Sequence, residues 1–377
     1  MNSNSGTAVP EGFVEGLVGV PAFTTSIAEP DRDGGALRYR GIDLQELVDA
    51  RLTFGDVWGL LVDGEFGREL PESPAVELPV QTGDVRVNVQ AGVATLAASL
   101  GGRPLIDIDD VSASEDMAVA TATVLSFVAQ SSRDSKLPTV SQSRIREGRT
   151  ATERFMIQWQ GDPDPRHTEA IDTYWVSAAE HGMNASTFTA RVIASTGADV
   201  YAAISGAIGS MSGPLHGGAP ARVLPMIEEV ERTGDAQRLV RRILDQKEKL
   251  MGFGHRVYRV EDPRAKVLRE TARRLDAPRF AVAEALEQAA LNELRERRPD
   301  RAIETNVEFW AAVILDFAGV KASIMPAFFT CGRTAGWCAH ILEQKRLAKL
   351  VRPGAIYTGP TARALDALMN IPSPTIY

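Results

Sequence analysis

Cysteine is nearly absent: the 377 residues hold two, Cys331 and Cys338. They sit seven positions apart in a stretch that reads as one helix, about 10 Å along its axis at 1.5 Å per residue, too far for a disulfide. The pair reads as reduced core thiols in a reducing compartment. An excess of positive charge is lacking as well. Lysine and arginine number 41 against 49 acidic residues, a net charge of −8, the wrong sign for a general nucleic-acid binder, whose affinity comes from neutralising phosphates. Any arginines that bind anions must therefore be clustered locally. The N-terminus, MNSNSGTAVPEGFVEG, has neither a basic segment leading into an apolar core nor an arginine-rich amphipathic pattern, so no secretory or organellar signal is expected and the protein reads as cytoplasmic. The most apolar stretch, Ser323 to Leu342, approaches a membrane span in length. Gly332, Arg333 and His340 interrupt it, which suits a buried helix with a polar functional face, and no membrane association is expected.

What is present is ordinary for a globular protein: 44% hydrophobic and 24% charged residues exclude disorder as the main state. The length predicts about two domains. Helix signals far outnumber strand signals, so the expected class is all-α, or mostly α-helical. TTSIAE and LRYRG predict a small hairpin near the start, leading into the helical IDLQELVDA. Thr53 and Asp56 mark a helix start, and Gly64 a stop. Further helices are expected over Val85 to Leu100, Met117 to Val128, Thr168 to Gly197 with a break at His181-Gly182, Ala236 to Met251, Pro263 to Leu275 and Arg279 to Arg297. The polar stretch from Ser131 to Gly148 predicts an exposed, mobile loop.

The chemistry concentrates around GFGHRVYRVEDPR, Gly252 to Arg264. Two glycines flank the approach to His255 and allow it to be presented from a turn. Asp262 and Pro263 then read as N-cap and first residue of a helix, with Arg264 in its first turn. His216, before Gly217 and Gly218, and His181, before Gly182, share this glycine-flanked setting. No histidine pair has the spacing of a metal-binding helix and no cysteine lies near, so no metal site is expected. Nor does a GxSxG elbow occur. Acid and base chemistry remains: two imidazoles can polarise two carbonyls at once, which points to joining two carbonyl compounds. The carboxylate needed to remove a carbon-bound proton is Glu308 in ETNVEFW, which otherwise reads as a solvated first-turn residue. Arg264, Arg333 and Arg352 offer guanidinium forks for a substrate carboxylate. Arg333 stands in an apolar helix and needs a partner there.

HGMNASTFTARV, GSMSGPLHGGA, GFGHRVYRVEDPRA, NVEFW and CGRTAGWCAHILEQ, in this order, resemble the citrate synthase family, including its methylcitrate synthase branch. GLVGVPAFTTSIAEPDRDGGALRYRGIDLQEL resembles the family's opening, so the similarity runs from about Gly16 to Arg352. The resemblance implies a helical homodimer in which a large domain, residues 1–218 and 322–377, is interrupted by a small one, 219–321, that closes over the substrates. It implies that acetyl-CoA and oxaloacetate condense to citryl-CoA, which water cleaves to citrate and CoA. His216 would stabilise the thioester enolate, Glu308 would take the methyl proton and His255 would polarise the ketone. His181, Arg264 and Arg333 match positions that hold oxaloacetate, Arg352 one supplied across the dimer interface, and Arg259 a basic residue at the CoA phosphates. No metal or resident cofactor is implied, the CoA thioester being a substrate. The readings left open are a 2-methylcitrate synthase using propionyl-CoA and a catalytically idle acyl-CoA-binding regulatory protein. The chain departs from the family at position 308, where most relatives have aspartate, which adds a methylene to the base in a reaction sensitive to about an ångström. The family's histidine-proline-methionine segment is missing around Gly83 to Val87, and 131–148 matches nothing in it.

Overall fold

A computed structural model describes residues 12–213, 216, 220–255, 257–360 and 362. By its contacts the chain divides into two units, Met1–Thr24 with Val351–Tyr377, and Thr25–Leu350. In the described part of the terminal unit a single turn of 3-10 helix covers Glu15–Leu17. Phe13, Leu17 and Val18 are exposed there, and the Tyr357 hydroxyl donates to the Pro360 carbonyl at 3.0 Å.

The larger unit, among its described residues, is built from fifteen α-helices and one small antiparallel sheet. The sheet is β1 (Ala28–Asp31), β2 (Ala36–Tyr39) and β3 (Ile42–Asp43), paired in sequence order. The hairpin expected from the N-terminal alternation is therefore real. The helices follow as α1 (Leu44–Asp49), α2 (Phe54–Val62), α3 (Val85–Leu100), α4 (Asp110–Ser132), α5 (Gln142–Ile145), α6 (Ala151–Gln160), α7 (Pro165–Ala178) and α8 (Ala185–Ser195). After these come α9 (Val200–Met211), α10 (Leu224–Thr233), α11 (Ala236–Asp245), α12 (Pro263–Arg274), α13 (Phe280–Arg297), α14 (Val307–Phe317) and α15 (Met325–Leu347).

Local chemistry accounts for most boundaries. Thr53 and Asp56 form a reciprocal capping box at the start of α2, and Asp262 caps α12 with Pro263 in its first turn, satisfying backbone N–H groups that a helix start leaves open. The break between α7 and α8 falls at His181 and Gly182 as expected. Two expectations need correction. The helix predicted to reach Met251 stops at Asp245, because Lys247 takes a left-handed backbone with φ of 58°. The stretch 131–148 is tied down rather than loose: Arg133 donates to the carbonyls of Pro138 and Trp159, and α5 lies within it, with Arg146 on Glu72 at 2.8 Å.

Helix α15 is the central post, packing on α2, α4, α7, α8 and α9. Gly332 and Gly336 make this possible. A Cβ at Gly332 would stand 3.0 Å from the Trp175 Cα, and one at Gly336 2.4 Å from the Ala179 carbonyl oxygen, so α7 approaches closer than any side chain permits. Around this contact Trp58, Trp175, Trp310 and Trp337 are fully buried, and Phe155 packs edge-on against Trp175 and Phe328 at 4.9 and 5.2 Å. Each such ring contributes roughly 1.5–3 kcal/mol by leaving water. Among the described residues the one helix long and apolar enough to cross a membrane is α4, which lies mostly inside the protein; the more polar α15, flagged from sequence, does not meet that standard.

Candidate active site

The loop carrying His255 is stapled to the one that carries Glu308. Gly252 sits at φ 85°, and a Cβ there would meet the Phe309 Cβ at 2.9 Å, so only glycine fits. The Gly254 N–H donates to the Glu304 carbonyl at 2.8 Å, the Asn306 N–H to the Gly252 carbonyl at 3.0 Å, and the Asn306 Nδ2 to the Gly254 carbonyl at 2.8 Å. Asn306 is also the N-cap of α14, its Oδ1 accepting the Glu308 N–H at 3.0 Å. One asparagine thus sets the height of Glu308 relative to the histidine loop.

Asp262 does comparable work on the other side. Its Oδ1 accepts the Arg264 N–H at 3.0 Å, and its carboxylate takes the Arg264 Nε and Nη2 at 3.0 and 2.8 Å. Its Oδ2 also accepts the Val307 N–H at 3.1 Å, joining the starts of α12 and α14. Arg264 is 4% exposed. Burial alone would weaken its charge, but the fork onto Asp262 outweighs this and holds the guanidinium above its ordinary pKa.

His255 Nδ1 accepts the backbone N–H groups of Val257 and Tyr258 at 2.9 and 3.2 Å. Burial and the Arg264 charge push the imidazole down to about 4, so near neutral pH it carries one proton, and that proton sits on Nε2. Nε2 lies 3.2 Å from Arg264 Nη2. The Asp262 Oδ2, which accepts from Arg264 Nη2 at 2.8 Å, stands 3.8 Å from His255 Nε2, so two donors and a carboxylate meet at one place. The His181 ring stands edge-on at 5.2 Å from His255, its Nε2 3.1 Å from the Tyr258 hydroxyl. It too is held well below the usual histidine range by burial and by Arg264, His255 and Arg333.

Arg333 is 2% exposed on α15. Its Nε donates to the Ala178 carbonyl at 2.7 Å and its guanidinium lies 4.9 Å from the Phe329 ring centre. Burial lowers its pKa, and the charge of Glu180 opposes that shift. The His216 ring stands edge-on to the same Phe329, with ring centres 6.5 Å apart. Burial and Arg333 lower its pKa to about 4. Its Nε2 is 2.8 Å from Ser186 Oγ, which accepts the Trp337 N–H at 3.1 Å and lies 2.8 Å from Asn184 Oδ1. The Ser186 hydroxyl donates its one proton to Asn184 Oδ1; turned instead to His216 Nε2, it would leave the imidazole proton on Nδ1, free to donate to a substrate.

Glu308, in the second position of α14, is not the solvated residue its sequence position allows. Its Oε2 is buried without a hydrogen-bond partner. Burial raises the carboxyl to about 7, against the opposing pull of Arg264, Lys249 and Arg333. The protein thus assembles neutral imidazoles, buried guanidinium groups and a carboxylate tuned near neutrality, the equipment for holding an anionic carbonyl compound beside a carbon acid.

His181, His255 and Arg264 are in direct contact, and Arg333 acts electrostatically on His181, His216 and Glu308. Arg259 is exposed on the surface, its N–H on the Arg32 carbonyl at 3.2 Å. Arg352 is exposed and belongs to the terminal unit. Arg256 and the neighbours of His216 at 214–215 and 217–219 lie outside the described residues. Sequence reading missed Tyr258, Ser186 and Asn306. Asn306 alone left a local trace, as a capping residue before an apolar helix.

Residues 16–354 match the family model described as citrate synthase, C-terminal domain. The chain is 70% identical over 362 residues to a Mycobacterium tuberculosis protein named "Putative citrate synthase 2", covering 96% of this chain and 97% of that one. It is 29% identical over 376 residues to a 2-methylcitrate synthase of Shewanella oneidensis, covering 94% and 97%. The crystal structure of citrate synthase from Pyrobaculum aerophilum superposes with a TM-score of 0.80 at 29% identity, over 96% of this chain and 98% of the other. The chain belongs to the citrate synthase family and is a condensing enzyme that transfers an acyl group.

Proposed function

We propose that this enzyme condenses acetyl-CoA with oxaloacetate and releases citrate and CoA. The observation that carries this reading is Glu308: a half-buried carboxylate whose Oε2 is buried and unpaired, raised to about 7 among cationic groups, is equipped to take a proton from carbon near neutral pH. Glu308 takes a proton from the thioester methyl, and the electron pair moves onto the thioester oxygen, which accepts a hydrogen bond from His216. The resulting enolate carbon attacks the ketone carbon of oxaloacetate. The ketone oxygen accepts hydrogen bonds from His255 Nε2–H and Arg264 and takes the proton from Nε2 as the bond forms, giving citryl-CoA, and the proton that Glu308 removed balances the one His255 gives up. Water then cleaves the thioester. Arg264, Arg333 and His181 hold oxaloacetate, and the exposed Arg259 suits the CoA phosphates. Charge developing on the enolate oxygen needs preorganised donors in a dry site. Closure of residues 219–321 over the substrates would supply the dryness. A homodimer in which Arg352 reaches the other subunit's oxaloacetate completes the reading.

The second reading, propionyl-CoA as substrate, is favoured by the 2-methylcitrate synthase relative. One methylene in an apolar pocket discriminates by only about 1–3 kcal/mol. Thiol release from oxaloacetate with acetyl-CoA and with propionyl-CoA separates the two: a higher kcat/KM for acetyl-CoA supports citrate, and the reverse order establishes methylcitrate.

A further inference from the structure

A cavity lies away from the histidines. About 450 Å³ in volume, it opens between the ends of α1 and α2, the start of α6, and the faces of α7 and α12. Its size is that of a small-molecule site, and nothing in the condensation reaction uses it.

The lining is hydroxylic and acidic. Thr53, Thr150, Thr152, Thr168, Thr173 and Thr271 contribute hydroxyl-bearing side chains. Asp49, Glu153, Glu169, Asp172 and Glu270 face only Arg51 and Arg274, and Arg274 is already taken in an ion pair with Glu169. Two features of this lining are left open. Asp172 is partly buried in the wall: its Oδ1 accepts the Thr152 hydroxyl and the Phe54 N–H, while Oδ2 accepts nothing. No arginine or lysine pairs with it. Burial, with the nearby charges of Asp56 and Glu153, raises it to about 6, so near neutral pH it is an ionised carboxylate still lacking a counter-ion. On the α1 and α12 side, Asp49 and Glu270 are held together by a single amide, Gln45 Nε2, at 3.1 and 3.2 Å. That neutral group offsets none of their mutual repulsion.

An anion is excluded by this charge balance. Among the described residues no group of three or more His, Cys, Asp or Glu side chains is arranged to hold a metal ion, and the space is far larger than a bare cation fills. We propose that the cleft binds a small linear organic cation of the amine or guanidine class, one charged end on Asp172 and the other at Asp49 and Glu270, with threonine hydroxyls along its length. The ligand bridges α7, whose end leads to His181, and α12, whose first turn carries Arg264.

Titration calorimetry with agmatine, which carries a guanidinium and an ammonium group, tests the site, with pentane-1,5-diol as neutral control and inorganic phosphate as anionic control. Saturable binding of agmatine alone is expected, weakened about tenfold or more in Asp172→Asn and in Glu270→Gln. Glu270 is exposed, so its variant keeps the test valid should Asp172→Asn fail to fold. Glu308→Gln, which removes the other unpaired carboxylate, should leave the affinity unchanged. Absence of agmatine binding at millimolar concentration, equal binding by the Glu270 variant, or loss of binding in Glu308→Gln would each overturn the proposal.

Discussion

His255 Nε2 and Arg264 Nη2 lie 3.2 Å apart, and both are donors. The Nδ1 of the histidine is occupied by two backbone N–H groups, so the imidazole cannot turn its lone pair to the arginine. Asp262 Oδ2 accepts from Nη2 at 2.8 Å and stands 3.8 Å from Nε2, and a substrate oxygen accepting from both donors would complete the arrangement. His255→Ala should lower kcat/KM for oxaloacetate by about two to four orders of magnitude. Arg264→Lys should weaken oxaloacetate binding as well, because an ammonium cannot reproduce the fork onto Asp262. Steady-state kinetics and direct titration with oxaloacetate check both, and unchanged binding in Arg264→Lys contradicts the arrangement.

The pH profile follows from the opposite shifts of base and donors. Glu308 stands at about 7 because burial raises it, and must be ionised to accept a proton. His216 and His255, at about 4, stay neutral throughout the range where Glu308 titrates. As pH falls through about 7 the base acquires its proton and kcat declines, with no compensating change from the histidines. A single acid limb centred near 7 is expected in a plot of log kcat against pH. A profile flat from pH 5 to 8 would show that another group removes the proton.

Ser186 decides where His216 keeps its proton. The hydroxyl lies 2.8 Å from Nε2 and donates to Asn184 Oδ1; turning it to Nε2 would hold the imidazole proton on Nδ1, toward the thioester, and removing it takes away the group that can do so. Ser186→Ala should cut kcat about 10- to 100-fold while oxaloacetate affinity stays within about twofold. The Trp337 N–H, deprived of its acceptor, should cost about 1–3 kcal/mol of stability. Kinetics beside a denaturation curve separate the two effects, and a variant with normal kcat would remove Ser186 from the mechanism.

Gly336→Ala tests the seam between α7 and α15. The added methyl would lie 2.4 Å from the Ala179 carbonyl oxygen and against the Glu180 carboxylate, so one helix must move. A loss of about 1–3 kcal/mol is expected from overpacking, read as a lower midpoint of thermal unfolding. An unshifted midpoint would mean that the two helices are not held so closely.

Much of the fold was legible because helix starts announce themselves locally: Thr53 with Asp56, and Asp262 with Pro263, are caps within a four-residue window. The site histidines were legible through their glycines and through the order of motifs that resembles the family. Partnerships across distance left no such trace. Ser186 meets His216 thirty positions later, and Tyr258 meets His181 across 77, contacts that no periodicity encodes. The half-buried state of Glu308 was hidden for a related reason, since a first-turn glutamate looks the same whether water or a folded wall faces it. The order in 131–148 depends on Arg133 reaching backbone carbonyls, and a polar stretch does not reveal where its carbonyls will lie.

The central claim is that Glu308 removes the proton that starts carbon–carbon bond formation. Thiol release from acetyl-CoA and oxaloacetate, measured for the native enzyme and for Glu308→Gln with oxaloacetate binding followed in parallel, tests it most directly. The account predicts release by the native enzyme and a fall of about two orders of magnitude or more in the variant, which still binds oxaloacetate. Near-native turnover by Glu308→Gln would contradict it.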